Sequence, residues 1–328
     1  MATAYIPSTE TQAQLDALAT HIFENHGEEI GNAAINKNFT TSILDKRGSK
    51  KVEEGGLSFN QPVLIQENSN FGFGSQYDDI DANIQDHTRE FKFDPKVYRG
   101  TIVINQLHAA MNDGKSAIKK LLKTLRLQAD ATIANDINTA LWTASPSAIQ
   151  PESIRSIVSE TPTAGTLGGI TRSGNSYAQN GLYSTAISDI GSEAGLAALM
   201  AQQINMGGDV KTSPDIAVTT NTLFTGLSGY LDTLRRFESD GDMAKLGFLN
   251  IKVGTATFGY DAQCPASRVF YLNSNHFFMQ ILRDMNFKFE PFSRKGNNLN
   301  STSIFYVAYN LTTNLPSALK VLTNVSTS

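Results

Sequence analysis

Cysteine is almost absent, for the 328-residue chain holds only Cys264. One thiol can form neither an intramolecular disulfide nor a Cys-based zinc site. The fold must therefore hold without staples, in a compartment that need not be oxidising. Charge is also sparse, at 18% of residues, with Lys+Arg 27 against Asp+Glu 31 and a net charge of -4. No apolar run approaches the roughly 18 residues that a helix needs to cross a bilayer, so no membrane span is expected. The opening Met1-Ala-Thr-Ala-Tyr-Ile-Pro-Ser has neither a basic nor an apolar region of the secretory kind, and no export signal is expected. Without such a route, the Asn-x-Ser/Thr triplets at Asn300, Asn310 and Asn324 read as chance in a chain rich in Asn and Thr. What is present is ordinary globular usage. Hydrophobic residues are 40%, with Gly 25 and Pro 10, which argues against a disordered, collagen-like or coiled-coil chain. The length suggests about two domains, and no internal repeat is found.

Leu15, Leu18, Ala19, Ile22 and Phe23 recur at helical spacing over residues 10–35, and the pattern ends near Gly27 or Gly31. From Phe39 to Gly56 the composition turns polar and predicts an extended or mobile arm, a linker in character. Residues 57–104 read as strands: Val63 and Ile65; Ile80, Ala82 and Ile84; Phe91 and Phe93; Thr101 to Ile104. A loop tip is expected at Asn68 to Ser75, where Gly72 and Gly74 admit backbone angles closed to other residues. The strongest helix runs from about Lys115 to Trp142, its apolar face formed by Ile118, Leu121, Leu122, Leu125, Ala129, Ile133 and Ala140. At 100° per residue, Lys119, Lys120, Lys123 and Arg126 fall in a separate, basic sector. Beyond it come a short helical patch at Pro151 to Ser159 and a loop at Gly165 to Ser176. An α+β unit follows: a helix from Glu193 to Met206, a strand from Asp215, a helix from Asn221 to Arg236, and strands near 249–253, 255–260 and 269–272. Two aromatic strands at Phe287 to Pro291 and Ile304 to Leu311 predict a closing hairpin around Arg294-Lys-Gly-Asn-Asn.

Several patterns approach a chemical site. Ala109-Ala-Met-Asn-Asp-Gly-Lys-Ser116 fits a relaxed phosphate loop between a strand and a helix. Yet its first Gly is Ala109, Asp113 would set a carboxylate beside the phosphates, and no apolar run ending in Asp follows to hold magnesium. Asp79, Asp81, Asn83, Gln85 and Glu90 stand at calcium-loop spacing, but the sixth position, which requires Gly, holds Ile84. His21 and His26 are five apart, which spoils the two-His face of a zinc protease. Gly226-Leu-Ser-Gly229 lacks one residue of a nucleophile elbow, Gly72-x-Gly74-x-x-Tyr77 lacks the last Gly of a dinucleotide loop, and both read as turns. Cys264 with His276 is the remaining pair; an isolated Cys in a strand-rich region reads as a small core residue. No catalytic, metal or cofactor residue is assigned.

The order of parts carries more than any motif: an arm, a long two-stranded excursion, one long helix, an inserted α+β unit and a return of aromatic strands. On residues 57–100 ending in Phe93-Asp-Pro-Lys-Val-Tyr-Arg-Gly-Thr-Ile-Val-Ile, the helix 115–142, Cys264-Pro-Ala-Ser-Arg-Val-Phe-Tyr-Leu-Asn and Ile304-Phe-Tyr-Val-Ala-Tyr-Asn-Leu-Thr-Thr-Asn, the chain resembles the major capsid proteins of tailed bacteriophages. The resemblance implies an α+β, Hong Kong 97-like capsid fold. It would have an N-terminal helix and arm at 1–56, an extended β-hairpin loop at 57–100, a peripheral domain at 101–190 and 281–328 with 115–142 as spine helix, and an axial domain at 191–280. It further implies a structural coat protein without an active site, self-assembling into hexamers and pentamers of an icosahedral head around double-stranded DNA in the bacterial cytoplasm. Scaffold, portal and decoration proteins would be its partners, and packaged DNA would be touched weakly and without specificity; no membrane is involved. Contacts between copies are expected at Phe71, Gly72, Phe73 and Gly74 and at Arg235 and Arg236.

Two other readings stay open, a phosphate-loop NTPase on Ala109 to Ser116 and a nonviral compartment shell of the same fold. The basic sector Lys119, Lys120, Lys123 and Arg126 has two roles open to it, facing packaged DNA or pairing with acidic residues 78–90 of an adjacent hairpin. Lys115→Ala is expected to leave assembly unchanged. Saturable ATP binding abolished by that substitution, measured by calorimetry, overturns the non-enzymatic reading.

Overall fold

The computed structural model describes residues 17, 19–20, 36–66, 70, 71, 73, 84, 86–105, 115–206, 212–234, 249–294 and 300–327. Its first complete element corrects the expectation of a mobile arm. Phe39, Ile43 and Leu44 stand at helical spacing and fold as α1 (Phe39–Lys46), with Thr40, Thr41 and Ser42 buried beside them. Those short hydroxyl side chains enter the core because they find partners: the Thr40 hydroxyl donates to Asp261 Oδ2 at 2.6 Å and that of Thr41 to the Asn38 carbonyl at 3.1 Å. The segment continues as β1 (Lys50–Glu53).

The hairpin follows as β2 (Phe59–Leu64) and β3 (Thr88–Phe93), antiparallel from Phe59↔Phe93 to Leu64↔Thr88. Of the expected middle strand only Ile84 is described, and it is exposed outside any strand; the other positions lie outside the described residues. Then come β4 (Lys96–Asn105) and the long helix α2 (Lys115–Trp142). The buried face of α2 comprises Ile133, Ala134, Ile137, Leu141 and Trp142 with Asp130 and Asn138, while Ala140 is only half-buried. The stripe is thus turned toward residues that can reach polar partners, as Asn138 Nδ2 does by donating to Asp261 Oδ1 at 2.8 Å.

After α3 (Ile154–Ile157), closed by a capping box between Ser153 and Ser156, the expected loop is instead a small hairpin of β5 (Thr166–Leu167) and β6 (Ile170–Thr171). Its two-residue turn is Gly168-Gly169 at φ 52 and 81, left-handed angles that suit a primed turn and glycine. The chain then forms β7 (Gly181–Tyr183), α4 (Glu193–Met206), β8 (Ile216–Thr219) and α5 (Asn221–Leu234). Gly226 to Gly229 lie within α5 and are no turn. Gly226 serves close approach, since a Cβ there would stand 2.6 Å from Thr327 Cγ2. Next are β9 (Ile251–Val253), β10 (Ala256–Tyr260), β11 (Val269–Leu272), β12 (Phe277–Leu282), β13 (Lys288–Phe289), β14 (Ser293–Arg294), β15 (Asn300–Thr313) and β16 (Lys320–Leu322). Strand β12, buried on both faces and without alternation, with Gln280 the one polar residue in its run, was not anticipated.

These strands make two large sheets. In the first, β15 is the axis, with β4 on one side and β12, β13 and β14 on the other; β1 lies parallel to β12. The second has the order β7-β16-β11-β8-β10-β9. Its central strands are buried on both faces. Ile216, Val218, Phe270, Leu272 and Val321 enter one apolar core with α1, α2 and the first sheet, whereas Ala217, Val269, Tyr271 and Leu322 enter a second core with α4 and α5. Trp142 at the end of α2 meets Phe270 edge-on at 5.2 Å, and Gly259 in β10 leaves room for the Phe39 ring, since a Cβ there would lie 2.1 Å from Phe39 Cζ. Gly259→Ala is therefore expected to overpack this contact and cost about 1–3 kcal/mol. Urea denaturation should show a lower midpoint with an unchanged slope.

Candidate assembly surface

The hairpin is anchored at one end and bare at the other. Phe59, Val63, Phe91 and Phe93 point into the main core, with Phe91 and Phe93 rings 6.2 Å apart. The small β5–β6 hairpin clamps this base: the Lys92 backbone N–H donates to the Gly168 carbonyl at 3.0 Å, and Gly168 sits so close that a Cβ would lie 2.7 Å from Phe91 Cβ. Away from the base the same excursion leaves Leu64, Phe71, Phe73 and Ile84 exposed, Phe71 by 83%, and Leu57 just before the base is bare as well. Single exposed apolar residues are common, but four on one excursion, two of them Phe, make it a candidate contact surface. Sequence reasoning singled out Phe71 and Phe73 from the glycines between them and missed Leu57, Leu64 and Ile84. The available signal was a set of apolar residues within polar sequence without a period that would bury them together.

Of the other expected contact residues, Gly72, Gly74, Arg235 and Arg236 lie outside the described residues, as do His21, His26 and positions 109–114 of the phosphate-loop pattern. On α2, Lys120 and Lys123 are exposed and Arg126 is half-buried; the side chain of Lys119 lies outside the described set. Arg126 and Lys37 lie near the buried Asp130 and draw its pKa down, but burial outweighs them and holds that carboxyl above its usual range. Lys120 and Lys123 therefore make the open part of this cationic face.

Among the described residues the remaining candidate groups serve as internal ties. Cys264 is buried, its Sγ facing the Val218 carbonyl at 3.9 Å and the Pro265 carbonyl at 3.8 Å. His276 Nδ1 is engaged instead with Asn314 Oδ1 at 2.9 Å. Asn310, one of the triplet asparagines, is an internal tie: its Nδ2 donates to the Asp94 carbonyl at 2.7 Å and its Oδ1 accepts from the Glu152 backbone at 2.7 Å. Buried Arg172 holds the end of α3, donating to the Ser156 and Ile157 carbonyls at 2.6 and 2.9 Å and to Asn180 at 2.8 Å. Among the described residues no group of three or more His, Cys, Asp or Glu is placed to hold a metal ion, and no helix is long and apolar enough to cross a membrane.

A body of two sheets, one long helix and a clamped outlying hairpin is an architecture of phage shell proteins. More narrowly, the chain has the Hong Kong 97-type capsid fold. Over 86% of this chain and 92% of the other it is similar to the cyanophage A-1(L) capsid asymmetric unit, with a TM-score of 0.64 at 13% identity. The capsid of Myoviridae phage XM1 matches with a TM-score of 0.53 at 14% identity, over 85% of this chain and 90% of that one. A virus-like particle from Pyrococcus furiosus matches with a TM-score of 0.51 at 10% identity, over 92% and 99%. No protein-family model matches, and no curated protein sequence is similar.

Burial, and secondarily the nearby Asp261, push the Cys264 thiol well above its ordinary pKa, so the reactive thiolate is withheld in the folded chain. Iodoacetamide at pH 8 is expected to leave Cys264 unmodified in native protein and to alkylate it fully in guanidinium, as read by intact mass. Rapid native labelling would show that the site is open.

Proposed function

We propose that this chain is the structural subunit of a bacteriophage head, a coat protein that closes into a shell around DNA and performs no catalysis. The observation that carries the reading is the clamped hairpin with its bare apolar outer part, set on a capsid fold. Within one copy these side chains are left in water; across a neighbour each buried Phe or Leu contributes about 1.5–3 kcal/mol. A contact that joins one patch to a different patch on the next copy is heterologous, and such contacts close rings and shells. In this reading residues 57–100 form the extended loop, 101–190 with 281–328 the peripheral part and 191–280 the axial part. Hexamers and pentamers are the units of the shell. A scaffold, a portal and decoration proteins are its partners in the head, assembled in the host cytoplasm. A subunit of net charge -4 suits a container for a polyanion, because every strong phosphate contact would add salt-dependent affinity that opposes release.

The likeness to the virus-like particle supports a second reading, a compartment shell of the same fold that encloses protein cargo. The contents of the purified particle separate the two: nuclease-protected DNA for a head, a protein cargo for a compartment.

Electron microscopy and light scattering of the expressed protein are expected to show closed particles of megadalton mass. Phe71→Asp combined with Phe73→Asp should abolish them while the subunit's unfolding free energy, from urea denaturation, stays within about 0.5 kcal/mol of the parent, as befits exposed positions. A parent protein that remains monomeric, with or without a co-expressed scaffold, overturns the proposal.

A further inference from the structure

Gln203 stands where α4 should carry an apolar residue. Leu196, Leu199, Gln203 and Met206 recur at helical spacing on the face that α4 turns to the second core, and Leu199 and Met206 are buried there. Gln203 is buried with them, at 6% exposure, yet neither its Oε1 nor its Nε2 has a hydrogen-bond partner among the described residues. The buried hydroxyl of Tyr271 in β11 lies beside it and is also unpaired. Turned to the amide, that hydroxyl would serve one of the two atoms and leave the other open. Burying a carboxamide without partners costs stability, and a Met or Leu at this position would avoid that cost. The helix therefore keeps, at a core position, a polar group that the fold itself does not use.

That amide borders a cavity of about 260 Å³. Its walls are Met200, Gln203 and Ile204 of α4, Ser213 ahead of β8, and Gly254 and Thr255 in the turn from β9 to β10. Gln203 Oε1 abuts the turn, where a Cβ on Gly254 would lie 2.2 Å from it, so the carboxamide faces the cavity. Met200 and Ile204 are 42% and 74% exposed and form an apolar mouth. The opposite wall is held in place: the Thr255 hydroxyl donates to the Pro214 carbonyl at 3.0 Å, and Asn273 Nδ2 donates to the Ser213 carbonyl at 2.8 Å. No Asp, Glu, Lys or Arg lines the cavity among the described residues. At ~30 Å³ per water the volume is that of roughly nine waters, far more than one amide needs.

We propose that this cavity binds a small neutral molecule whose edge presents a carbonyl oxygen and an N–H side by side, as a lactam ring or a pyrimidine base does. Gln203 offers the complementary edge, Nε2 to donate and Oε1 to accept, the same two-point pairing by which a Gln side chain reads the edge of a base. Met200 and Ile204 cover the apolar faces of the ring. Charge selects against the alternatives, because a phosphate or carboxylate would lose its hydration here without gaining a counter-charge. An apolar cleft with a few convergent polar groups is the usual form of a small-molecule site, and this one has the size for a single ring rather than a larger cofactor. The site shares no residue with the cleft between α2 and the first sheet, and the inference does not rest on the shell reading.

Uracil is the probe, and 1,3-dimethyluracil, the same ring without an N–H, is its control. Calorimetric titration of the full chain, whether particle or free subunit, is expected to show saturable uracil binding at one site per chain. The dimethyl ring should bind about tenfold more weakly, the effect of one hydrogen bond. Gln203→Met keeps the volume and removes the amide; it should abolish uracil binding and raise the thermal midpoint of the unliganded protein, because an unpaired polar group has left the core. Should that variant fail to fold, the two titrations of the parent chain decide alone. Absence of saturable uracil binding, equal affinity for the two rings, or a lowered midpoint in a folded Gln203→Met chain overturns the inference. Each of these results leaves the shell reading as it stands, since particle formation is read separately by microscopy.

Discussion

Everything in this molecule hangs on a sheet whose central strands have no wet face. Strands β8 and β11 are buried along their whole length, and because successive side chains of a strand point to opposite faces, each strand feeds two cores at once. A slip of one residue would exchange Phe270 with Tyr271 and Val218 with Ala217, placing a large ring where a different packing surface waits. Register is therefore fixed from both sides. The helices α1 and α2 close on one face and α4 and α5 on the other. Asp261 at the end of β10 ties the first pair together through Thr40 and Asn138. The rigid base that the hairpin needs is a by-product of this double burial.

Periodic elements were legible in the sequence; elements defined by burial alone were not. The helix at 115–142 and the strands near 249–272 announce themselves by spacing. Strand β12 does not, because Phe277 to Leu282 is buried on both faces and shows no alternation, its one polar residue, Gln280, being buried with the rest. Helix α1 was hidden for the opposite reason. Its buried Thr40, Thr41 and Ser42 look polar in composition, and their partners, the distant Asp261 for Thr40 and the nearby Asn38 and Asn36 for the other two, appear only in the fold. The glycine-rich stretch at 165–176 reads as a loop until Gly168 and Gly169 are seen to form a two-residue turn.

The candidate contact surface was partly visible. Phe71 and Phe73 drew notice through the glycines beside them, but the cleft between α2 and the first sheet was out of reach of sequence, since its walls come from β4, α2 and the return strands β13 and β15. Only the fold brings Phe289 and Phe305 against Ile133. The low identity of 10–14% to structures of the same fold follows from the same logic. Alternation, helical spacing and turn chemistry are what the architecture demands, and many different residues meet those demands.

The pairing of β1 with β12 bears on the order of events during synthesis. Lys50 lies beside Met279, and the axis of that sheet ends at Thr313, so the first sheet is incomplete until nearly the whole chain has emerged. Contacts this distant in sequence make folding slow, since the loop they close must be ordered before they contribute. The hairpin, made early, thus waits for a base made late. A nascent chain carries the apolar residues of the hairpin and its clamp long before β15 completes the sheet behind them, so the hairpin is seated only in chains that are nearly fully translated. The topology works as a clock that sets association after completion.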